Sequence, residues 1–300
     1  MDHVADRLLA AIAAKGTPLC VGLDPRWESL PLVLRAGFAD TLAGKAQAYE
    51  EFCQRVLELA APYVAVVKPQ SAFFEACGPA GMLALLKTMQ TAHRLGLFTI
   101  LDAKRGDIAS TAAAYAEAAF DVFNADAVTV NPFLGQDSIE PFLHYGRQRG
   151  RGVFVLVRTS NPGAGQFQDL TCLGRPLHEH VAAAVQSWTV EHIGSYGYGD
   201  VGGVVGATSP AELLRLRQQM PAALLLVPGY GAQGATAQDV AAAFAPDGQG
   251  AIVNSSRAIL YPYRQDDPHW EDAVLAAITQ AIAELPRPTP PAIRPVTPRP

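Results

Sequence analysis

The sequence predicts one (β/α)8 TIM barrel, and three observations carry that prediction. Eight short apolar, β-rich runs recur along the chain, and helix-length segments separate them. No G-x-G-x-x-G follows the first run, as a doubly wound dinucleotide-binding sheet would need. Runs that are apolar throughout suit strands buried on both faces, as in a parallel sheet. The first strand is expected at 18–24 (PLCVGLD), followed by a helix over 43–61, and the second at 63–69 (YVAVVKP), followed by 79–95. Strands at 97–104 (LFTILDAK) and 126–132 (DAVTVNP) precede helices over 108–124 and 136–149. A strand at 152–160 (GVFVLVRTS) precedes a helix over 176–196, and one at 202–208 (GGVVGAT) precedes 210–219. The last pairs are 223–229 (ALLLVPG) with 235–244 and 250–256 (GAIVNSS) with 269–285. Ahead of them all, Val4, Leu8 and Ile12 recur at i, i+4, i+8, the stripe of a short surface helix.

Composition narrows the function classes. With 49% hydrophobic and 17% charged residues the chain is too apolar to be disordered, yet no run approaches the roughly 18 apolar residues of a membrane helix. Cys20, Cys53, Cys77 and Cys172 contain no CxxC pair, which fits neither a disulfide scaffold nor a zinc module. A net charge of -5 gives no footprint for nucleic acid. Asp2 and Asp6 stand where a secretion signal carries positive charge. A reduced, soluble, cytoplasmic protein is expected, with one barrel domain over 1–285. The last fifteen residues, 286–300, include seven prolines and three arginines and no acid, so a disordered tail is expected there. Without the tail the body holds 20 basic and 28 acidic residues, a charge of -8.

Barrels of this kind place their chemistry at the C-terminal ends of the strands. Those ends carry Asp24, Lys68, Asp102 with Lys104, Asn131, Ser160, Thr208, the 228–233 loop and Asn254 to Arg257. Asp102 and Lys104 are two apart and point to one side of a strand, Lys68 ends the neighbouring strand, and Asp107 follows just beyond. Asp107 and Thr111 are i, i+4, on one face if a helix starts there. The apolar neighbours of Lys68 imply burial, so its ammonium needs carboxylate partners. An alternating array Lys68, Asp102, Lys104, Asp107 results. A lysine between carboxylates is held charged, which suits a cation that stabilises a carbanion and then gives up a proton, rather than a Schiff-base lysine. Only five of the 23 basic residues are lysines, and two of these end barrel strands. At the far side of the mouth, PGYGAQG (228–234) and NSSRAI (254–259) follow strands 7 and 8, the usual phosphate position, with Gln233 and Arg257 as donors.

These segments together resemble the orotidine 5'-phosphate decarboxylase family, in its bacterial branch with the DAKRGDI form of the catalytic segment. The resemblance runs over 18–261 through CVGLDP, VVKPQSAFFE, LDAKRGDIAST, VNPFLGQDSIEPF, VRTSNPGAGQF, VVGATSPAEL, VPGYGAQGAT and VNSSRAILY. It implies conversion of orotidine 5'-phosphate to UMP, with no metal or organic cofactor. Lys104 would be the proton donor to C6, within a tetrad completed by Lys68, Asp102 and Asp107. Asp24 would contact ribose, Ser160 the pyrimidine amide edge, and Gln233 and Arg257 the phosphate. Asp107 and Thr111 would reach into a neighbouring subunit's site, so a homodimer with shared active sites is implied.

Two other barrels compete: a magnesium-dependent sugar-phosphate enzyme using D-x-K-x-x-D, and a catalytically silent nucleotide-binding barrel. The first needs a further metal-binding carboxylate near Asp102, where strand 2 supplies Lys68 instead. The 159–175 connection is expected to be a lid. His178 and His180 lie two apart in a helix, where they do not face each other as a metal half-site would.

Overall fold

In a computed structural model the structure describes residues 2–207, 209–231 and 234–293. Eight parallel strands close into a barrel in which each strand hydrogen-bonds to its neighbours in chain order and the last pairs with the first. The strands are β1 (Leu19–Leu23), β2 (Val66–Pro69), β3 (Phe98–Arg105), β4 (Ala127–Val130), β5 (Gly152–Arg158), β6 (Val201–Val205), β7 (Leu225–Pro228) and β8 (Ala251–Ser255). Each lies within three residues of its expected place, because an apolar run with no polar alternation can be satisfied only between two covered faces.

Helix α1 (Val4–Lys15) precedes the barrel, and α2 (Leu42–Ala60), α3 (Gly78–Arg94), α4 (Ala109–Glu117), α5 (Gln136–Arg147), α6 (Leu177–Thr189), α7 (Pro210–Gln219), α8 (Ala237–Ala241) and α9 (Trp270–Glu284) follow the successive strands. The helix expected over 176–196 stops at Thr189, and the chain then turns through Ile193 and Gly199 into β6. Phe52 of α2 packs against Trp270 of α9 at 5.4 Å between ring centroids, sealing the β8–β1 seam from outside.

Helix α1 is a plug rather than a surface helix. Val4, Leu8 and Ile12 are buried in one cluster with Phe98, Phe154, Leu224 and Ile252, which fill the lower barrel. Its stripe therefore closes the N-terminal end, leaving the opposite end open. Gly202 makes the same packing possible, since a Cβ there would stand 2.5 Å from the Phe154 ring.

Residues 286–293 carry neither helix nor strand, as their prolines dictate. They nevertheless lie against the barrel: the Thr289 hydroxyl donates to the Asp247 carbonyl, and the Thr289 carbonyl accepts from the Gln249 amide. The remainder of the expected tail, 294–300, falls outside the described residues.

Candidate active site

The C-terminal ends of the strands surround a cavity of about 520 Å³, within the range of small-molecule sites. Asp24, Lys68, Asp102, Lys104, Ser160 and Arg257 all line it. Six expected site residues, scattered over more than 230 positions of sequence, thus meet in one place. Gln233 and Thr208 lie outside the described residues. Asp107 and Thr111 do not line the cavity of their own chain.

The charged centre is compact. Lys68 Nζ lies 2.6 Å from Asp102 Oδ2, and Lys104 Nζ lies 2.6 Å from Asp102 Oδ1. One carboxylate thus faces two ammoniums. Lys68 and Asp102 are buried, whereas the Lys104 side chain is 44% exposed on the cavity side. Burial by itself opposes the charge on Lys68, but the facing carboxylates of Asp102 and Asp24 outweigh it and hold the ammonium above the ordinary lysine range. For Asp102, too, burial opposes ionisation, and Lys68 and Lys104 overcome it, so the carboxyl sits well below the usual range. Lys68, Asp102 and Lys104 form the array within one chain. Asp107 forms no ion pair with it among the described residues, and its Oδ1 accepts from the Ile108 N–H at 2.8 Å. Asp107 also precedes α4, so it does not share a helix face with Thr111.

The route by which Asp102 and Lys104 both reach the cavity differs from simple strand alternation. The β3–β4 register slips between Leu101 and Arg105, and Lys104 adopts a left-handed φ of 48°. This is a bulge, which re-aims side chains at the rim of a barrel.

The ends of β7 and β8 also reach the cavity, which Gly229, Tyr230, Ser256 and Arg257 line. Gly229 and Gly231 have φ of 106° and 78°, conformations that favour glycine. Arg257 begins the short helix Arg257–Leu260 after β8. Asp24 is fixed through its backbone, its carbonyl accepting from Tyr261 Oη at 3.0 Å, while its Oδ1 is buried with no hydrogen-bond partner among the described residues.

Several lining residues were not singled out from sequence. Leu156, Val204 and Leu226 supply an apolar wall, and Thr129, Arg26 and Asn161 add polar groups, beside Tyr230 and Ser256 from the strand-end loops already named. These residue types are common throughout the chain, so nothing in their identity marks them. Asn254, a strand-end residue, is buried, and its Oδ1 has no hydrogen-bond partner among the described residues. Asn131 and Asp137, in the segment after β4, serve the turn into α5: Asn131 Oδ1 accepts from the Phe133 N–H at 3.0 Å, and Asp137 sits in the first helical turn.

The 159–175 connection is folded rather than open. It contains a 3-10 turn (Pro162–Ala164), a short helix (Gly165–Gln168) and a two-stranded antiparallel ribbon pairing Thr171–Cys172 with Arg175–Pro176. Arg158, at the end of β5, binds Asp169 at 3.0 Å and approaches Glu212 of α7 at 3.5 Å. His178 Nδ1 is 2.9 Å from the Gln168 carbonyl and must donate to it, while Nε2 faces Glu212 at 3.4 Å. His180 contacts the Cys172 carbonyl at 2.7 Å. The two histidines therefore pin different parts of the connection and do not converge. Asp169, His178 and Glu212 do cluster closely enough to hold a cation. The Arg158 guanidinium already occupies both carboxylates, however, and would repel one.

Comparison with known proteins places this geometry in context. A family model described as "Orotidine 5'-phosphate decarboxylase / HUMPS family" matches residues 17–268. The orotidine 5'-phosphate decarboxylase of Rhodopirellula baltica is 45% identical over 300 residues, covering 95% of this chain and 99% of its own. That of Deinococcus radiodurans is 44% identical over 267 residues, covering 88% and 91%. Among solved structures, the Leishmania donovani OMP decarboxylase superposes with a TM-score of 0.75 at 37% identity, covering 94% and 96%.

Proposed function

The chain belongs to the orotidine 5'-phosphate decarboxylase / HUMPS family, and on that premise we infer that it is a carboxy-lyase converting orotidine 5'-phosphate to UMP in pyrimidine biosynthesis. The observation that carries the decarboxylase reading over the family's other branch is the pair of 2.6 Å contacts from Lys68 and Lys104 to the Asp102 carboxylate. A divalent cation at Asp102 would meet two ammoniums. A carbanion beside Lys104 meets the charge it needs.

In this reading the substrate phosphate lies against Arg257 and the 229–231 loop, with Gln233 as a further donor. The ribose lies against Asp24, whose Oδ1 is buried with no hydrogen-bond partner among the described residues. The pyrimidine stands between Ser160 and the wall of Leu156, Val204 and Leu226. The bond from C6 to the carboxylate carbon breaks, carbon dioxide leaves, and the electron pair remains on C6 beside the Lys104 ammonium. Lys104 then transfers a proton from Nζ to C6. Asp102 keeps both lysines charged and oriented, so no charge has to be assembled during the reaction. Phosphate binding, remote from C6, supplies energy for holding the ring in this field.

The same reading makes the active unit a homodimer. Asp107 and Thr111 then face the partner's cavity, where Asp107 would stand beside the substrate carboxylate. Ile108, Phe133 and Leu134, which are 53%, 82% and 49% exposed on the adjoining loops after β3 and β4, support an apolar contact there. Among the described residues no helix is long and apolar enough to cross a membrane. A cytoplasmic location, without nucleic-acid or membrane partners, goes with this reading.

Chelator-treated protein is expected to convert orotidine 5'-phosphate to UMP, followed by loss of the orotate-type absorbance. A metal requirement would favour the sugar-phosphate branch. UMP binding without turnover would favour a silent barrel.

A further inference from the structure

Leu101 pairs with Val128 and Arg105 with Val130, so four steps along β3 face two along β4. The extra residues fall in Asp102–Lys104, and with Lys104 at a left-handed φ the bulge is held out of the normal ladder. The N–H groups of Ala103 and Lys104 consequently need partners other than strand carbonyls. Both find the same one. Thr129 Oγ1, on β4 and 1% exposed, accepts from Ala103 N at 3.0 Å and from Lys104 N at 2.9 Å. Its own proton goes to Asp102 Oδ1 at 2.9 Å. A hydroxyl has one donor and two acceptor positions, and here all three are used.

We propose that Thr129 is the positioning residue of the reaction, holding the bulge so that Asp102 and Lys104 enter the cavity in their productive geometry. The inference rests on the decarboxylase reading above. One hydroxyl fixes both ends of the Asp102–Lys104 pair: it ties down the Lys104 backbone and sets the rotation of the Asp102 carboxylate. Oδ1 is thereby offered to Lys104 while Oδ2 remains for Lys68. The groups that would grip phosphate, ribose and pyrimidine stand on other strands. Loss of the hydroxyl should therefore be felt at the reacting carbon and much less in ground-state binding.

Thr129→Val keeps the shape and removes the hydroxyl, while Thr129→Ser keeps the hydroxyl. For Thr129→Val, kcat is expected to fall about 100-fold, the usual cost of a misplaced catalytic group, with KM and the UMP inhibition constant within about threefold of wild type. Thr129→Ser should stay within about threefold of wild-type kcat, measured well below the melting temperature of each variant. A Thr129→Val protein with wild-type kcat, or one changed only in KM, overturns the proposal. Should the valine variant fail to fold, the serine variant decides: a kcat more than about tenfold below wild type means that methyl packing, not the hydroxyl, matters. Wild-type protein without turnover would instead overturn the decarboxylase reading itself.

Discussion

Asp102 neutralises two ammoniums, one of them on a lysine whose side chain is only 5% exposed. Replacing it by asparagine leaves Lys68 buried without a bonded carboxylate, and breaking such a pair costs about 3 kcal/mol or more. Asp102→Asn should therefore lower the urea midpoint substantially at neutral pH. The pH dependence has a definite sign. Because the Asp102 carboxyl is held below its ordinary value, its stabilisation is present above the unfolded aspartate value of about 3.9 and is lost as pH falls from there through the folded value. Lys68, held above the ordinary range, contributes fully below about pH 10.4 and loses its contribution only as pH rises beyond it. The stability gap between wild type and Asp102→Asn should thus be constant from about pH 5 to 8 and close in stronger acid. A gap that persists unchanged to pH 2 would contradict the ion-pair account. Lys104 is different, because it is half open to the cavity and carries less of the fold. Lys104→Ala is expected to lose at least about 100-fold in kcat, as for removal of a general acid, while still binding UMP. Retained turnover would remove Lys104 from the proton-donor role.

Among the elements, the 159–175 connection shows how charge can hold a loop near a site. Arg158 binds the Thr159 carbonyl at 3.0 Å, Gln168 at 3.3 Å and Asp169 at 3.0 Å, and two and three residues beyond it Ser160 and Asn161 line the cavity. Arg158→Met keeps the apolar stem and removes these bonds. Loss of one charged hydrogen bond, about 1.5 kcal/mol, corresponds to about a tenfold higher KM, and proteolysis within 159–175 should quicken. An unchanged KM would show that the loop's position owes nothing to Arg158. None of this was legible in the sequence. Apolar runs reveal barrel strands because burial on both faces demands them, which is why β1 to β8 could be placed closely. The internal folding of 159–175 depends on long-range partners such as Glu212, which no local pattern announces. The bulge at Asp102–Lys104 was equally hidden: D-x-K reads as plain alternation, and only the slip against β4 exposes it. The stripe of α1 is visible in the sequence, but amphipathicity does not say what a stripe faces, and here it faces the barrel floor.

At the scale of the whole molecule, an acidic body that takes a dianionic phosphate together with a carboxylate needs positive charge gathered locally, and Lys68, Lys104 and Arg257 do line one mouth. That mouth is incomplete in a single chain if Asp107 is to stand beside the departing carboxylate, because Asp107 does not line its own cavity. A twofold dimer would resolve this through a self-complementary contact in which each chain lent Asp107 and Thr111 to the other, as proposed above. Mixing tests it directly. Lys104→Ala and Asp107→Asn homodimers should each be nearly inactive, since every site lacks one group. In a mixed dimer one site carries both lesions and the other carries none. Unfolding and refolding an equimolar mixture should restore about a quarter of wild-type sites, because half of randomly formed dimers are mixed and each has one intact site. If both groups came from the same chain, every site in every combination would carry a lesion and mixing would restore nothing. Ile108→Asp, which introduces charge into the adjoining apolar surface, should shift the protein toward monomer in sedimentation and reduce activity in a concentration-dependent way. Activity that stays independent of protein concentration in an Ile108→Asp monomer would show that one chain is a complete enzyme.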